Sequence, residues 1–185
     1  MRALALMTLV LLQACASLSG GAGREPIAQA SSVDLDAFMG AWYVIAHIPP
    51  PGEGEAYNGV EHYRLGDDGR ILTTYRFRKG GFGGPLKTYT PNAKVVPNTG
   101  NAEWGMQFIW PFRAEYIISA LDVEQGITII GRNKRDYVWL MARQPELSAQ
   151  QYQDWVQRIA DMGYNLDDLR KHPQQWPEAE PRPPR

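Results

Sequence analysis

The residues of this chain best suited to chemistry are three histidines, one cysteine and an adjacent pair of aspartates. Metal binding would call on His47, His62 and His172, but they are scattered and none has ligand-like spacing to another donor. Each is expected to be an exposed or hydrogen-bonded polar residue, and no metal site is expected. Asp67-Asp68 could supply acid–base work, yet Gly66-Asp67-Asp68-Gly69 is first of all a tight turn. Gly80-Gly-Phe-Gly-Gly84 has the glycines of a phosphate loop, but no Lys-Ser/Thr follows and no helix opens there. There is no Gly-x-Ser-x-Gly elbow. Arg132, Lys134 and Arg135 form a small basic cluster near a turn, where a solvated loop is the default and an anionic head group the sharper alternative. The inventory points away from an enzyme and toward no cofactor.

The composition agrees with a binding module. The chain has 185 residues, 19 basic against 20 acidic, 44% hydrophobic and 11% aromatic. That is enough apolar material for one packed domain. A net charge of −1 gives no bulk attraction for nucleic acid. With Cys15 the only cysteine, neither an internal disulfide nor a C-x-x-C site can form.

Position decides what Cys15 is for. Residues 1–14 form a secretory signal, with Arg2 as the positive end and an apolar run from Ala3 to Leu12, too short to span a bilayer. Leu12-Gln13-Ala14-Cys15 resembles the bacterial lipobox, whose cysteine is acylated and becomes the mature N-terminus; an ordinary signal with a coincidental cysteine is the alternative. The resemblance implies a membrane partner through a lipid anchor. With Ala16 rather than Asp after the cysteine, it implies delivery to the outer membrane. Residues 15–32 are small, polar and glycine-rich, as a lipidated flexible tether would be. Residues 173–185 are proline-rich and expected to be extended or disordered. The folded domain is then 33–172.

Within it the pattern has period two. Eight candidate strands run from Gly40 to Ile48, Tyr57 to Leu65, Ile71 to Lys79, Lys87 to Val96, Glu103 to Trp110, Glu115 to Leu121, Ile127 to Arg132 and Tyr137 to Arg143, with Gly, Pro, Asn or Asp between them. Ile71, Thr73, Tyr75 and Phe77 share one face, and so do Trp104, Met106, Phe108 and Trp110. Gln107 and Ser119 fall on the opposite, outward face. Short antiparallel strands of this kind predict a sandwich or an up-and-down barrel. One helix follows: Ser148 and Gln151 spell a capping box, Tyr152, Trp155, Val156 and Ile159 repeat at helical spacing, and Gly163 is placed to end it.

Three motifs in order sharpen this picture. Gly40-Ala41-Trp42 resembles the lipocalin G-x-W signature, Ala120-Leu121-Asp122 the second family motif and Arg143 the third. Trp110-Pro-Phe112 and the run from Arg135 to Arg143 are most similar to bacterial outer-membrane lipocalins, relatives of apolipoprotein D. The resemblance implies an all-β, eight-stranded antiparallel up-and-down barrel with the helix packed on its outside. It also implies structural roles for Gly40, Trp42, Asp122 and Arg143, the arginine lying across the indole. Such a barrel holds one small ligand, and the alternating faces predict its lining: Tyr63, Ile71, Tyr75, Phe77, Ala93, Trp104, Met106, Phe108, Tyr116, Ile118 and Trp139. The expected partner is a small hydrophobic ligand, a fatty acid or lysophospholipid, with no catalytic residues, and a homodimer is left open. Two other readings stand beside it: an enzyme acting on a bound lipid or pigment, and a packed structural module of the envelope.

Overall fold

The computed structural model describes residues 24–49 and 55–178. The signal 1–14, Cys15 and residues 179–185 lie outside the described residues. A single turn of helix, α1 (Leu35–Phe38), is capped by Asp34, whose side chain accepts from the Ala37 amide at 3.1 Å. Nine strands then follow in sequence: β1 (Gly40–Ile48), β2 (Ala56–Leu65), β3 (Ile71–Lys79), β4 (Leu86–Tyr89), β5 (Asn92–Val95), β6 (Glu103–Gln107), β7 (Ala114–Asp122), β8 (Ile127–Gly131) and β9 (Val138–Ala142). Helix α2 (Ala149–Asp161), a 3₁₀ turn (Leu166–Asp168) and the short β10 (Arg170–Lys171) complete the order.

Each strand pairs antiparallel with its neighbour, and β1 pairs with β9, which closes the barrel. β4 and β5 are one expected strand in two pieces. Pro91 has no amide hydrogen to continue the ladder, and the Pro91 carbonyl instead accepts from the Thr73 amide at 3.0 Å. Counted as one kinked strand, they leave eight staves. The fifth expected strand is shorter than its pattern, because β6 ends at Gln107 and Phe108 to Trp110 pass into a loop.

The two faces of the wall bury two separate cores. Inside lie Phe38, Trp42, Val44, Tyr63, Trp104 and their neighbours; outside, Ile45, Ile127, Ile129, Leu140 and Ala142 are covered by Trp155 and Ile159 of α2. The capping box of α2 is formed in both directions, at 3.2 Å and 3.1 Å between Ser148 and Gln151. Gly163 follows the helix with φ +84°, a left-handed turn that a side chain would strain.

Both flanking segments are held where they are described. The Ile27 amide donates to Asn133 and Ala30 to the Ile118 carbonyl, so residues 27–30 lie along the barrel. After β10 the chain lies between the separating ends of β1 and β2. The His172 amide donates to Ile45, Asn58 donates to Pro173, and Gln174 Nε2 bridges the carbonyls of Val44 at 2.6 Å and Gly59 at 3.1 Å. Trp176 then packs on Tyr43, and Glu178 pairs with Arg78 at 2.8 Å. Residues 173–178 are therefore hydrogen-bonded to the barrel or packed on it.

Candidate functional site

The site is the barrel interior, and its floor is aromatic. Phe38, delivered by α1, meets Trp42 at 4.9 Å, Trp104 at 5.4 Å and Tyr63 at 5.6 Å between ring centres. Both indoles satisfy their N–H groups locally, Trp42 on Phe38 O at 2.8 Å and Trp104 on Asn101 O at 2.7 Å. Beneath the floor Arg143 closes the end of the barrel. Its guanidinium carbon is 3.8 Å from the Trp42 ring centre, and its nitrogens donate to the carbonyls of Ala37, Phe38, Met39 and Ala41. Gly40 lies beside it with φ +92°, a conformation that disfavours any side chain. Asp122 sits at the same end, where one carboxylate oxygen accepts from the Gln125 amide at 2.8 Å and pins the turn into β8. That hydrogen bond holds the Asp122 carboxyl below its usual range.

Above the floor comes a polar layer. Tyr116 stacks on Trp104 at 5.4 Å, its hydroxyl hydrogen-bonds that of Tyr63, and it donates to Glu61 Oε2 at 3.3 Å. Glu61 is 94% buried and faces inward between Trp42 of β1 and Tyr75 of β3. Burial, with the nearby Glu61 charge, pushes the Tyr116 phenol well above its ordinary value. Thr73, one layer away, has its Oγ1 buried with no hydrogen-bond partner among the described residues. Higher still, Tyr75 packs against Trp139 at 4.7 Å and Phe77 at 5.0 Å, and Tyr89 stacks over both Tyr75 and Phe77.

Most of the expected lining is inside. Tyr63, Ile71, Ala93, Trp104, Met106, Tyr116 and Ile118 are brought together in the lower and middle layers, with Tyr75, Phe77 and Trp139 nearer the mouth. Phe108 is the correction: it is 64% exposed, because the ladder has ended and period two no longer applies to it. Ser119 lies on the outer side, as expected, but is buried there, where Ile27 and Tyr164 cover the wall beside Gly131. Glu61 and Phe38 are not among the sequence-derived candidates. Glu61 is two residues before Tyr63 on the same face, so the signal was there; Phe38 belongs to a helix too short to show a period.

Of the histidines, His172 departs from the expectation. His62 is exposed, but His47 and His172 are buried at the rim with ring centres 4.9 Å apart. A bulge between Val44 and Ala46 turns His47 inward toward Trp139, and His172 fills the space over Gly59. Neither ring nitrogen of His172 has a hydrogen-bond partner among the described residues. Burial lowers His47 to about 4, with Arg170 adding to it, and His172 to about 3, with His47 adding to it. The basic cluster is structural: Arg132 and Lys134 pair with Asp136, and Arg135 donates to the carbonyls of Met162, Asn133 and Glu25. Among the described residues no group of three acidic, His or Cys side chains is set to hold a metal.

This geometry has relatives. A family model described as a lipocalin-like domain matches residues 33–174. Temperature-induced lipocalin-1 of Arabidopsis thaliana is 26% identical over 152 residues, covering 77% of this chain and 80% of that protein. Outer membrane lipoprotein Blc of Vibrio cholerae is 24% identical over 164 residues, covering 86% and 91%. The same-named protein of Citrobacter freundii is 25% identical over 169 residues, covering 86% and 88%. Insecticyanin of the tobacco hornworm Manduca sexta superposes with a TM-score of 0.63 at 15% identity, over 82% of this chain and 86% of its own. Lobster apocrustacyanin A1 does so with 0.60 at 12%, over 81% and 91%. A closed antiparallel barrel, plugged by Trp42 under Arg143 and matched to the family over most of its length, makes this chain a member of the lipocalin-like family.

Proposed function

We propose that this chain is a lipid-anchored carrier in the cell envelope, held at the outer membrane through Cys15, that binds a small hydrophobic ligand such as a fatty acid or lysophospholipid. The observation carrying the reading is the aromatic cluster of Tyr75, Phe77, Tyr89 and Trp139 in the upper barrel, above a closed floor. Burying a methylene contributes about 0.8 kcal/mol, so an acyl chain needs little polar recognition there. The related lipoproteins of Vibrio and Citrobacter support the location. Native mass spectrometry of the protein as isolated from membranes tests the ligand: a copurifying lipid is expected, and a bare mass with no uptake of added fatty acid argues for a packed structural module. Cys15→Ser tests the anchor, and its expected result is a protein lost from the outer-membrane fraction.

One observation favours a second reading, an enzyme acting on a bound lipid or pigment. The Tyr63–Tyr116–Glu61 hydrogen-bond chain brings two phenols and a carboxylate together inside the barrel, side-chain types that acid–base chemistry uses. Recovery of a copurified ligand chemically unchanged after prolonged incubation weighs against it.

A further inference from the structure

The inner face of the barrel is not apolar throughout. Glu61, Tyr63, Thr73 and Tyr116 are each 6% exposed or less, and their oxygens lie among aromatic neighbours. The hydrogens of this layer can be assigned. The Tyr116 hydroxyl donates to Glu61 Oε2 at 3.3 Å, and a hydroxyl has one hydrogen to give. Burial and the Glu61 charge keep the Tyr116 phenol protonated, so that donor does not titrate away near neutral pH. The bond between the two phenols therefore runs from Tyr63 to Tyr116. Tyr63 has given its only hydrogen and is left as an acceptor.

Thr73 stands directly opposite Tyr63 in the β2–β3 register, on the same inner face. Its Oγ1 is buried with no hydrogen-bond partner among the described residues, and it can both donate and accept. A hydrocarbon end closed over this hydroxyl would leave it unbonded away from water, which is unfavourable. A carboxylate end would be repelled by the Glu61 charge. An ammonium end would give up far more hydration than a neutral group, while Glu61 already takes the Tyr116 hydrogen. The group that complements an acceptor facing a donor is a neutral hydroxyl, which donates to Tyr63 and accepts from Thr73.

We propose that Tyr63 and Thr73 form a hydroxyl-recognition site deep in the barrel, and that the ligand is a lipid chain bearing a hydroxyl group at the end remote from its head. The aromatic cluster nearer the mouth then packs the chain, and the polar layer reads its far end. The inference deepens the carrier reading, on which it rests for there being a ligand.

The test uses the full chain carrying Cys15→Ser, so that no anchor competes with the probes, after delipidation. The probes are ω-hydroxy fatty acids of about ten to sixteen carbons and their unhydroxylated parents, each competed against a fluorescent fatty acid. At one chain length or more the hydroxy acid should bind about fivefold or more tighter than its parent, and Thr73→Val should reverse that order, because a site that hydrogen-bonds a hydroxyl discriminates by it. Thr73→Ser, which keeps the hydroxyl, should keep the preference. A parent that binds tighter at every length, or an order unchanged in Thr73→Val, overturns the proposal and leaves the carrier reading standing. Tighter binding of the matching ω-amino acids overturns it in favour of an ion pair with Glu61. Absence of binding by every probe overturns the carrier reading and this inference with it. Thr73→Val removes only an unpartnered hydroxyl, so the melting temperature of the ligand-free chain should hold. A marked fall would show that the hydroxyl is already bonded within the protein, and would overturn the site.

Discussion

Arg143 and Trp42 form one closure rather than two contacts. The guanidinium covers the indole at 3.8 Å while its N–H groups take four carbonyls from the α1–β1 junction. Trp42→Ala should cost about 3–5 kcal/mol in denaturant unfolding, as a large buried aromatic does. Arg143→Ala should cost a comparable amount, and Arg143→Lys should recover less than half of it, since an ammonium cannot fork to several carbonyls at once. An unchanged midpoint for either alanine variant would remove the plug assignment.

The buried His47–His172 pair makes stability depend on acid. Both imidazoles are held neutral in the folded state, at about 4 and about 3, against about 6.5 in the unfolded chain. The unfolded chain therefore takes up protons first as pH falls below about 6.5. Stability is full above that value and is lost progressively down to about 3–4. Arg170 and Lys171 stand at this rim with Glu55, and His47 already feels the Arg170 charge. Unfolding free energies at pH 7.5 and 5.0 should differ by a few kcal/mol in the wild type. His172→Leu should flatten that slope whatever its absolute stability.

Gly59 leaves the room that His172 occupies. A Cβ at Gly59 would lie 2.4 Å from His172 Nε2. Gly59→Ala should therefore cost about 1–3 kcal/mol by overpacking and free the C-terminal segment, seen as faster proteolytic trimming back to the 3₁₀ turn. Gln174→Ala, which loses the bonds to Val44 and Gly59, should show the same trimming with a milder loss of stability.

Depth in the barrel should separate folding from binding. Met106 is fully buried in the lower core, so Met106→Ala should cost about 2–5 kcal/mol. Tyr89 of β4 is half exposed while its ring stacks on Tyr75 and Phe77, and Tyr89→Glu should keep the melting temperature while weakening a fluorescent fatty acid about tenfold, through repulsion and lost apolar contact. Gln107→Lys, outside the wall, should alter neither. Equal affinities for wild type and Tyr89→Glu would mean that acyl chains do not enter past β4.

The barrel was legible where side-chain alternation ran unbroken, as in Ile71, Thr73, Tyr75 and Phe77, and where a local motif stands alone, as in Ser148 with Gln151. It was illegible at the irregularities. Bulges in β1, β2 and β7 add residues that shift the register beyond them, and the one in β1 is what turns His47 inward. Pro91 interrupts a run whose flanking residues both look like strand. The C-terminal docking depends on side-chain amides, Gln174 on two carbonyls and Asn58 on Gln175, and no periodicity announces such bonds. The carboxylate of the layer above the floor was overlooked because Glu61 breaks the hydrophobic pattern it sits in.

The pairing of β1 with both β9 and β10 also sets an order of events in time. The first strand of the barrel finds its last partners about a hundred residues and more along the chain, so contacts that close the wall are the most distant in sequence. Loop closure of that length must precede any gain from the seam, and topologies of this sort acquire their structure late and slowly. A chain emerging from its N-terminus can assemble the β2–β3 and β7–β8 hairpins but cannot seal Trp42 under Arg143 until residue 143 has arrived. A barrel of this design therefore stays open until nearly all of its sequence is available to fold.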